Sequence, residues 1–280
     1  MTLRRILFRG TIRFLEGCNN LLPLREEIHL DCTPTEGKSI DLVTIAFNNA
    51  EIITYQIRFL QKNIEDRYHH IIADNSTDES ESKRLQEFCD REGYSYVRLP
   101  KNLLNRIGSS YSHANAVNYV YRHIVRKRKP YAFGIIDHDL FPIKPVSILN
   151  DYLAQQPFFG PLRVRGGEQN WYLSGIMSFF RFDYVEQHGG IDFTPVTIEG
   201  HYLDTGGGNW YGMYRHIKHS DYTFPTEEVV PLREGGDRHG DSLEYFDGKK
   251  WLHTINGSGW KQVKEGKAEL VEGIVVDLLI

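Results

Sequence analysis

The chain has 280 residues, enough for one large α/β domain, and its 40% hydrophobic and 25% charged residues are typical of globular proteins. A formal net charge of −4 argues against a nucleic-acid-binding protein, because no overall positive field would attract phosphates. The cysteines Cys18, Cys32 and Cys89 show no zinc-site spacing and indicate free thiols in a reducing compartment, the cytoplasm. No run of about 18 apolar residues occurs, so no membrane-spanning helix is predicted.

The N-terminal extension, residues 1–40, begins with a segment that is apolar, rich in arginine and free of acidic residues (LRRILFRGTIRFL, 3–15). Arg5, Arg9 and Arg13 share one side whether it forms a strand or a helix, so periodicity does not choose between the two. Two interpretations stay open. The segment is an extra element packed on the domain, or it is a peripheral anchor at the anionic inner face of a membrane.

After residue 40, short apolar runs alternate with segments of helical spacing. The predicted strands are 41–47, 69–73, 94–99 and 131–136, and the predicted helices are 50–62, 80–92 and 112–128. This alternation predicts an α/β fold with a doubly wound, mostly parallel sheet flanked by helices. The second half is less regular, and one further strand is predicted over 172–182.

Polar clusters follow three of the predicted strands: Asn48-Asn49, the segment 74–78, and Asp137-His138-Asp139. Ligands of such sheets bind outside the carboxyl ends of the strands, so we expect the three clusters to meet at one edge. Two carboxylates two residues apart, just past a buried strand, can share one hard cation that keeps positions open for phosphate oxygens. The sequence therefore predicts a metal site at this edge.

Residues 41–145 resemble the nucleotide-binding half of the GT-A glycosyltransferases, especially those of the family-2 type. LVTIAFNN resembles their opening strand and loop, and IIADNSTDES resembles the segment that ends their second strand. SSYSHANAVNYVY, followed by FGIIDHDLFPIKP, resembles the helix and strand that carry their D-x-D motif. The resemblance implies a GT-A fold with a nucleotide-sugar-binding half over 41–145 and an acceptor-binding half over 146–280 of the same domain.

The implied activity is that of a metal-dependent glycosyltransferase of the hexosyltransferase type. It would move a sugar from a nucleoside-diphosphate sugar, expected to be a UDP-sugar, to an acceptor hydroxyl in glycan or polysaccharide synthesis. The resemblance also implies positions: Asp74 would accept a hydrogen bond from the base, Asp137 would contact the ribose or the metal, and Asp139 would bind the metal. Further contacts with the nucleotide sugar would come from Ala46, Phe47, Asn48, Asn49 and His138, and from Asn115 or His113 at the ribose or diphosphate.

A late segment, WLHTINGSGWK (251–261), resembles the part of several metal-dependent GT-A enzymes that supplies a further ligand and covers the diphosphate. His253 would be that metal ligand, and an imidazole nitrogen suits Mn²⁺ better than Mg²⁺. Gly257 would let the backbone N–H groups approach phosphate, and Lys261 would add positive charge.

The catalytic base and the acceptor are less determined. An inverting transferase needs a carboxylate base; Asp204 is the candidate, with Glu199 second, whereas a retaining enzyme would need neither. The acceptor stays open among a glycan, a lipid-linked molecule and a small molecule. Two other functions also stay open: a non-catalytic GT-A-like domain that binds nucleotide or glycan, and a sugar-phosphate nucleotidyltransferase. The latter would need a glycine-rich basic loop where Asn48-Asn49 stands.

Overall fold

The computed structural model describes residues 3–232, 242–255 and 267–280 of the chain. The α-helices are α1 (Leu3–Asn20), α2 (Ala50–Asn63), α3 (Glu79–Glu92), α4 (Ser109–Val120), α5 (Arg126–Arg128), α6 (Phe182–Gln187) and α7 (Lys267–Leu279). The strands are β1 (Glu26–Ile28), β2 (Ile40–Ala46), β3 (Tyr68–Asp74), β4 (Ser95–Arg98), β5 (Ala132–Asp137), β6 (Leu140–Pro142), β7 (Phe158–Phe159), β8 (Leu162–Val164), β9 (Trp171–Leu173), β10 (Met177–Arg181), β11 (Val196–Ile198), β12 (His201–Leu203), β13 (Glu227–Pro231), β14 (Ser242–Phe246) and β15 (Trp251–His253).

A seven-stranded sheet in the order β1-β4-β3-β2-β5-β10-β7 forms the centre of the molecule. Its four middle strands, β4, β3, β2 and β5, are parallel, and β1, β10 and β7 join it antiparallel. The sheet is covered on both faces, since the consecutive residues Ile71 and Ile72 of β3 pack into different hydrophobic cores. The predicted α/β class, with a mostly parallel sheet flanked by helices, is confirmed.

The register of the parallel strands brings their carboxyl ends together. Ala46 at the end of β2 pairs with Asp74 at the end of β3, and Ile45 pairs with Asp137 at the end of β5. The loops after these strands therefore start from neighbouring points on one edge of the sheet, as the sequence predicted.

Local capping explains why the helices begin where the strands end. The side chain of Asn49 accepts a hydrogen bond from the backbone N–H of Ile52 and caps α2. Asp78 caps α3 by accepting from the N–H groups of Ser80 and Glu81. Gly93 ends α3 in the left-handed region at φ 76°, a conformation that favours glycine.

A second, antiparallel sheet in the order β13-β14-β15-β6 lies beside this edge. The chain turns at His138-Asp139 after β5 and continues as β6, which pairs with β15. This pairing places Leu140 opposite His253, and the next pairing places His253 opposite Glu244. The sheet thus carries a residue 114 positions after Asp139 back to the D-x-D turn.

The structure corrects two expectations. The segment 172–182 is two strands in different sheets, because β9 pairs with β8 whereas β10 pairs with β5. The break falls at Gly175, where an added Cβ would lie 2.6 Å from Cγ2 of Thr205, so only glycine permits this close crossing. The predicted helix over 112–128 is α4 and α5 separated by a π-helical turn, Tyr121–Val125.

Residues 3–15 belong to helix α1, which resolves the choice between helix and strand. Ile12, on the inner side of α1, is buried. The Arg13 guanidinium forms ion pairs with Glu16 in the same helix and with Asp192. α1 thus packs on the domain, as one of the two interpretations expected. No helix in the described part of the chain combines the length and hydrophobicity needed to cross a membrane.

Candidate active site

Three side chains at the sheet edge form a group able to hold a metal ion. One ligand atom from each of Asp137, Asp139 and His253 lies within 4.8 Å of the others. Asp139 and His253 are buried, and Asp137 is half-buried at the end of β5. The structure therefore brings together the three residues that the sequence predicted as metal ligands, although two segments of the chain supply them.

Gln56 of α2 forms hydrogen bonds with the backbone of the turn that carries the two aspartates. Its amide nitrogen donates to the backbone oxygens of Asp137 at 2.7 Å and Leu140 at 2.9 Å, on the two sides of the turn. Its amide oxygen accepts from the Thr44 hydroxyl at 2.8 Å. Since Gln56 is fully buried, these bonds are protected from water and fix where the two carboxylates project.

His253 has a carboxylate on each side. Its Nδ1 lies 2.8 Å from Oε2 of Glu244, and its Nε2 lies 3.2 Å from Oδ1 of Asp139. Burial alone would lower the pKa of His253, but Asp139 and Glu244 outweigh it and raise the pKa to about 10. The two carboxylates therefore favour the protonated imidazole when no metal is bound, and a divalent cation between His253 and Asp139 would take the place of the Nε2 proton.

The donor set fits a divalent cation. Two carboxylates and one imidazole nitrogen are ligands that Mn²⁺ accepts, and the Glu244 contact fixes the ring so that Nε2 faces Asp139. Asp137 and Asp139 come from one tight turn, so the distance between them is set by the backbone rather than by flexible loops.

Two cavities meet at this group of ligands. Cavity A, of about 530 Å³, extends over the ends of β2 and β3, and its wall includes Ile45, Phe47, Asn75, Thr77, Ser109 and His138. Cavity B, of about 790 Å³, lies toward the second half of the chain, and its wall includes Arg163, Arg165, Tyr172, Asp204, Thr205 and Glu244. Asp137, His253 and His113 line both cavities. A ligand lying through both would pass directly over the metal position.

Asp74, the predicted base-binding residue, makes all of its observed contacts with other residues of the protein. Its carboxylate is fully buried, forms an ion pair with Arg98 at 2.8 Å, and accepts from the hydroxyls of Ser82 and Tyr96 and the N–H of Ser76. Asp74 does not line cavity A, whereas its successor Asn75 does. The Asp74 carboxylate therefore organises the β3–α3 loop that presents Asn75.

The other predicted nucleotide contacts divide in the same way. Phe47 and His138 line cavity A. Asn48 instead joins two loops, since its side-chain oxygen accepts from the N–H groups of Thr77 at 2.8 Å and Asp78 at 2.9 Å. Ala46, Asn49 and Asn115 do not line either cavity. Ala46 is buried within β2, Asn49 caps α2, and the Asn115 amide donates to Asn102 at 3.0 Å.

The two candidate bases lie in different places. Asp204 is half-buried in the wall of cavity B, and its Oδ1 accepts from the N–H of Thr205 at 2.8 Å. Glu199 is exposed in the turn between β11 and β12, where it accepts from Asn170 at 3.3 Å, and it does not line cavity B. Gly257 and Lys261 lie outside the described residues.

Sequence reasoning missed two residues of this site, Glu244 and Gln56. Glu244 was missed because only the pairing of β14 with β15 shows that it faces His253. Gln56 was missed because a buried glutamine in a helix carries no motif. His113 lies on the cavity side of α4, and its buried Nε2 has no hydrogen-bond partner within the described residues. The family resemblance named His113 as the alternative to Asn115 for a contact with the nucleotide sugar, and of the two only His113 lines the cavities.

No family model and no curated protein matches this sequence. Solved structures with a similar fold do exist. The mannosyltransferase PcManGT from Pyrobaculum calidifontis, in complex with GDP-Man and Mn²⁺, matches at TM-score 0.38 and 16% identity over 67% of this chain and 58% of its own. The mannosyltransferase Ktr4p from S. cerevisiae matches at TM-score 0.36 and 8% identity over 65% of this chain and 67% of its own.

Glucosyl-3-phosphoglycerate synthase from Mycobacterium tuberculosis, in complex with UDP, matches at TM-score 0.33 and 14% identity over 53% of this chain and 58% of its own. This chain therefore spans less than two thirds of the length of PcManGT and of the synthase. All three are glycosyltransferases, the class that residues 41–145 resemble. At these identities and TM-scores the likeness carries no argument about activity, so the function must be argued from the site of this chain.

Proposed function

We propose that this chain is a divalent-metal-dependent glycosyltransferase that moves a sugar from a nucleoside-diphosphate sugar to an acceptor hydroxyl. One observation carries the proposal: the three ligand atoms of Asp137, Asp139 and His253 lie within 4.8 Å at the junction of two cavities. A bound nucleotide sugar needs a cation beside its diphosphate, a site for the nucleoside on one side and a site for the sugar and acceptor on the other. The proposal assigns the metal group to the cation, cavity A to the nucleoside and cavity B to the sugar and acceptor.

The expected metal is Mn²⁺, with Mg²⁺ as the alternative, held by Asp137, Asp139 and His253. When bound, it would supply positive charge to the departing diphosphate, which is where negative charge builds up during the reaction. Glu244 would keep the imidazole oriented, and Gln56 would keep the two aspartates in position.

Cavity A suits the nucleoside. Phe47 and Ile45 offer an apolar surface to a base, whereas Asn75, Thr77 and Ser109 offer hydrogen-bonding groups to a base or ribose. UDP is the expected nucleotide. Because Asp74 is already paired with Arg98, we propose that the neighbouring Asn75 makes the polar contact that the family resemblance assigned to Asp74.

Cavity B suits the sugar and the acceptor, and Asp204 is the base we propose there. Thr205 N–H and the Tyr202 hydroxyl both donate to its Oδ1, which orients the carboxylate. In an inverting transfer Asp204 would take the proton of the acceptor hydroxyl while the new bond to the sugar forms. The bond between the sugar and the diphosphate breaks as the new bond forms, and the nucleoside diphosphate leaves with the electron pair of the broken bond.

The wider setting is also proposed. We place the reaction in glycan or polysaccharide synthesis in the cytoplasm, with a glycan, a lipid-linked molecule or a small molecule as acceptor. Peripheral membrane contact through residues 3–15 would suit a lipid-linked acceptor. Such contact would be made by the exposed side chains of α1.

The test is a calorimetric titration of UDP into the full chain with and without Mn²⁺, in the wild type and in Asp139→Asn. We expect Mn²⁺ to tighten UDP binding by at least about tenfold in the wild type and to have no such effect in the variant. The matched control is Asp183→Asn, an exposed carboxylate away from both cavities. It should behave like the wild type. Equal, metal-independent affinity in all three proteins would defeat the proposal.

A second experiment separates an enzyme from a binding domain. The wild type with Mn²⁺ is incubated with UDP-, GDP- and dTDP-sugars, and release of the nucleoside diphosphate is measured. Slow hydrolysis of one donor is the expected result, because water can replace the acceptor in cavity B. Metal-dependent binding with no hydrolysis and no transfer to any acceptor would indicate a non-catalytic domain.

A further inference from the structure

The outward face of α1 is apolar although it is exposed. Leu7 and Phe14 are spaced seven residues apart, or about two helical turns, and are 62% and 70% exposed. A Cβ added to Gly10 or Gly17 would meet no atom within 4 Å, so these positions face open space as well. On a helical projection these four positions fall on one side of α1, and no charged residue falls between them. Leu21, in the turn directly after α1, is 86% exposed.

Some polar residues of α1 face the protein. Glu16 and Asn19 are 3% and 2% exposed, and Arg13 forms ion pairs with Glu16 and Asp192. In most helices on a protein surface the large apolar side chains face inward, whereas in α1 Ile12 does so and Leu7 and Phe14 do not. The exposure of these two side chains indicates that the outward face of α1 contacts something other than water.

We propose that this face lies on a membrane surface containing anionic lipids. Residues 3–15 contain no acidic residue, and Arg9 is exposed beside this face. The segment 205–220 also lacks acidic residues and exposes Arg215 and Lys218. An apolar helix face flanked by cationic side chains is the pattern of helices that lie in the headgroup region.

Contacts with α1 bring the two basic segments together. Arg9 donates to the Tyr211 hydroxyl at 3.0 Å, and its guanidinium lies 5.0 Å from the centre of the Tyr211 ring. An anionic bilayer satisfies the apolar face and both basic segments at once. A second copy of the chain would cover the apolar face but would bring like charges together, which disfavours it as the occupant.

A chain of contacts through two tyrosines connects the same helix with Asp204 in the wall of cavity B. Phe8 packs edge-on against Tyr111 with ring centres 5.9 Å apart, and Tyr111 lies beside Tyr202, whose hydroxyl donates to Asp204. A bilayer under α1 would therefore hold cavity B close to the membrane surface. This consequence rests on the proposed function, and it favours an acceptor carried by a lipid.

The experiment is flotation of the full chain with vesicles of phosphatidylcholine alone or mixed with phosphatidylglycerol. The wild type should float with the mixed vesicles, less with the neutral ones, and less again at high salt. The double variant Leu7→Glu/Phe14→Glu should bind the mixed vesicles at least about tenfold more weakly. Ile280→Glu is the matched control, because Ile280 is 96% exposed and lies outside α1.

The outcomes separate three occupants. Wild type that stays with the unbound fraction, or binding that is equal in the double variant, would overturn the proposal. A wild-type dimer that the same substitutions convert to monomer, seen by light scattering, would assign the face to a second copy instead. Circular dichroism checks that the variant folds, and the lipid and salt dependence of the wild type remains decisive if it does not. UDP titration with Mn²⁺ reports on the proposed activity separately, so either idea can fail alone.

Discussion

Glu244 and His253 face each other across β14 and β15, with Oε2 of the carboxylate 2.8 Å from Nδ1 of the imidazole. This contact settles the orientation of the ring, because the Nδ1 hydrogen bond leaves Nε2 directed at Asp139. If His253 binds a metal as proposed, a histidine far along the sequence is oriented for that role by a partner on the neighbouring strand. Glu244 itself need not touch the metal to matter for its binding.

The first prediction concerns this partner. Glu244→Gln should weaken Mn²⁺ binding in the presence of UDP by about 10- to 100-fold, because the imidazole loses a charged partner that fixes its orientation. Calorimetric titration of Mn²⁺ into the UDP-saturated protein measures the change. Glu228→Gln on the adjacent strand β13 is the control, since Glu228 is exposed and pairs only with Lys249 among the described residues. If Mn²⁺ binding weakened equally in both variants, the loss of one negative charge anywhere in this sheet, and not the contact with His253, would explain the weaker binding.

The second prediction concerns Gln56. Gln56→Leu removes both hydrogen bonds to the D-x-D turn and leaves two buried carbonyl oxygens without them. We expect the free energy of unfolding to fall by about 1–3 kcal/mol, and Mn²⁺ binding to weaken as the two aspartates lose their fixed position. Urea denaturation and Mn²⁺ titration measure the two effects.

Gln61→Leu serves as the control for Gln56, because Gln61 is an exposed glutamine of the same helix that donates to Tyr94. It should change neither quantity by more than about 0.5 kcal/mol. A Gln56→Leu protein that loses stability but binds Mn²⁺ normally would show that Gln56 supports the fold and does not position the ligands.

How much of this site was readable in the sequence depends on the distance along the chain. Asp137 and Asp139 follow an apolar run, and the structure puts them where that pattern predicted. The residues that follow β2 and β3 lie at the same edge, because the carboxyl ends of parallel strands are on the same side of a sheet. His253 could be named from its local segment, but its contact with Asp139 depends on the pairing of β6 with β15, which no periodicity reveals.

Asp74 shows what the sequence could not predict. A carboxylate at the end of a strand has the same sequence signature whether it faces a ligand or an internal partner. Here Arg98 at the end of the neighbouring β4 forms an ion pair with it, and that partner is visible only once the sheet order is known. The split of 172–182 into two strands has a similar cause, since it is the approach of Thr205 to Gly175 that requires the turn.

The third prediction concerns pH and His70. Its Nε2 lies 2.9 Å from the Thr44 hydroxyl, and burial lowers the pKa of His70 to about 3, so the ring is neutral in the folded protein. The unfolded chain has the ordinary pKa near 6.5 and therefore binds more protons below it. The stabilising contribution is complete above about pH 6.5 and is lost progressively as the pH falls towards 3.

Replacing this histidine should flatten the acid side of the stability profile. In His70→Gln, the decrease in unfolding free energy below pH 6.5 should be shallower than in the wild type by up to about 1.4 kcal/mol per pH unit, the contribution of one proton. Urea denaturation at a series of pH values measures the slopes. His216→Gln, an exposed histidine, is the control. Parallel profiles for wild type and His70→Gln would contradict the assignment of a neutral, half-buried ring.

The last prediction concerns the base. Asp204→Asn keeps the size of the side chain and its place in cavity B but removes the proton acceptor, so transfer to an acceptor should slow by about 10²- to 10⁴-fold. Binding of UDP with Mn²⁺ should stay unchanged, because Asp204 lines cavity B and is not one of the three residues of the metal group. Glu199→Gln is the control, since that carboxylate is exposed and away from cavity B. If Asp204→Asn retained full activity while Asp139→Asn lost it, the metal site would stand, and the reaction would have to proceed without a carboxylate base at this position, as expected of a retaining enzyme.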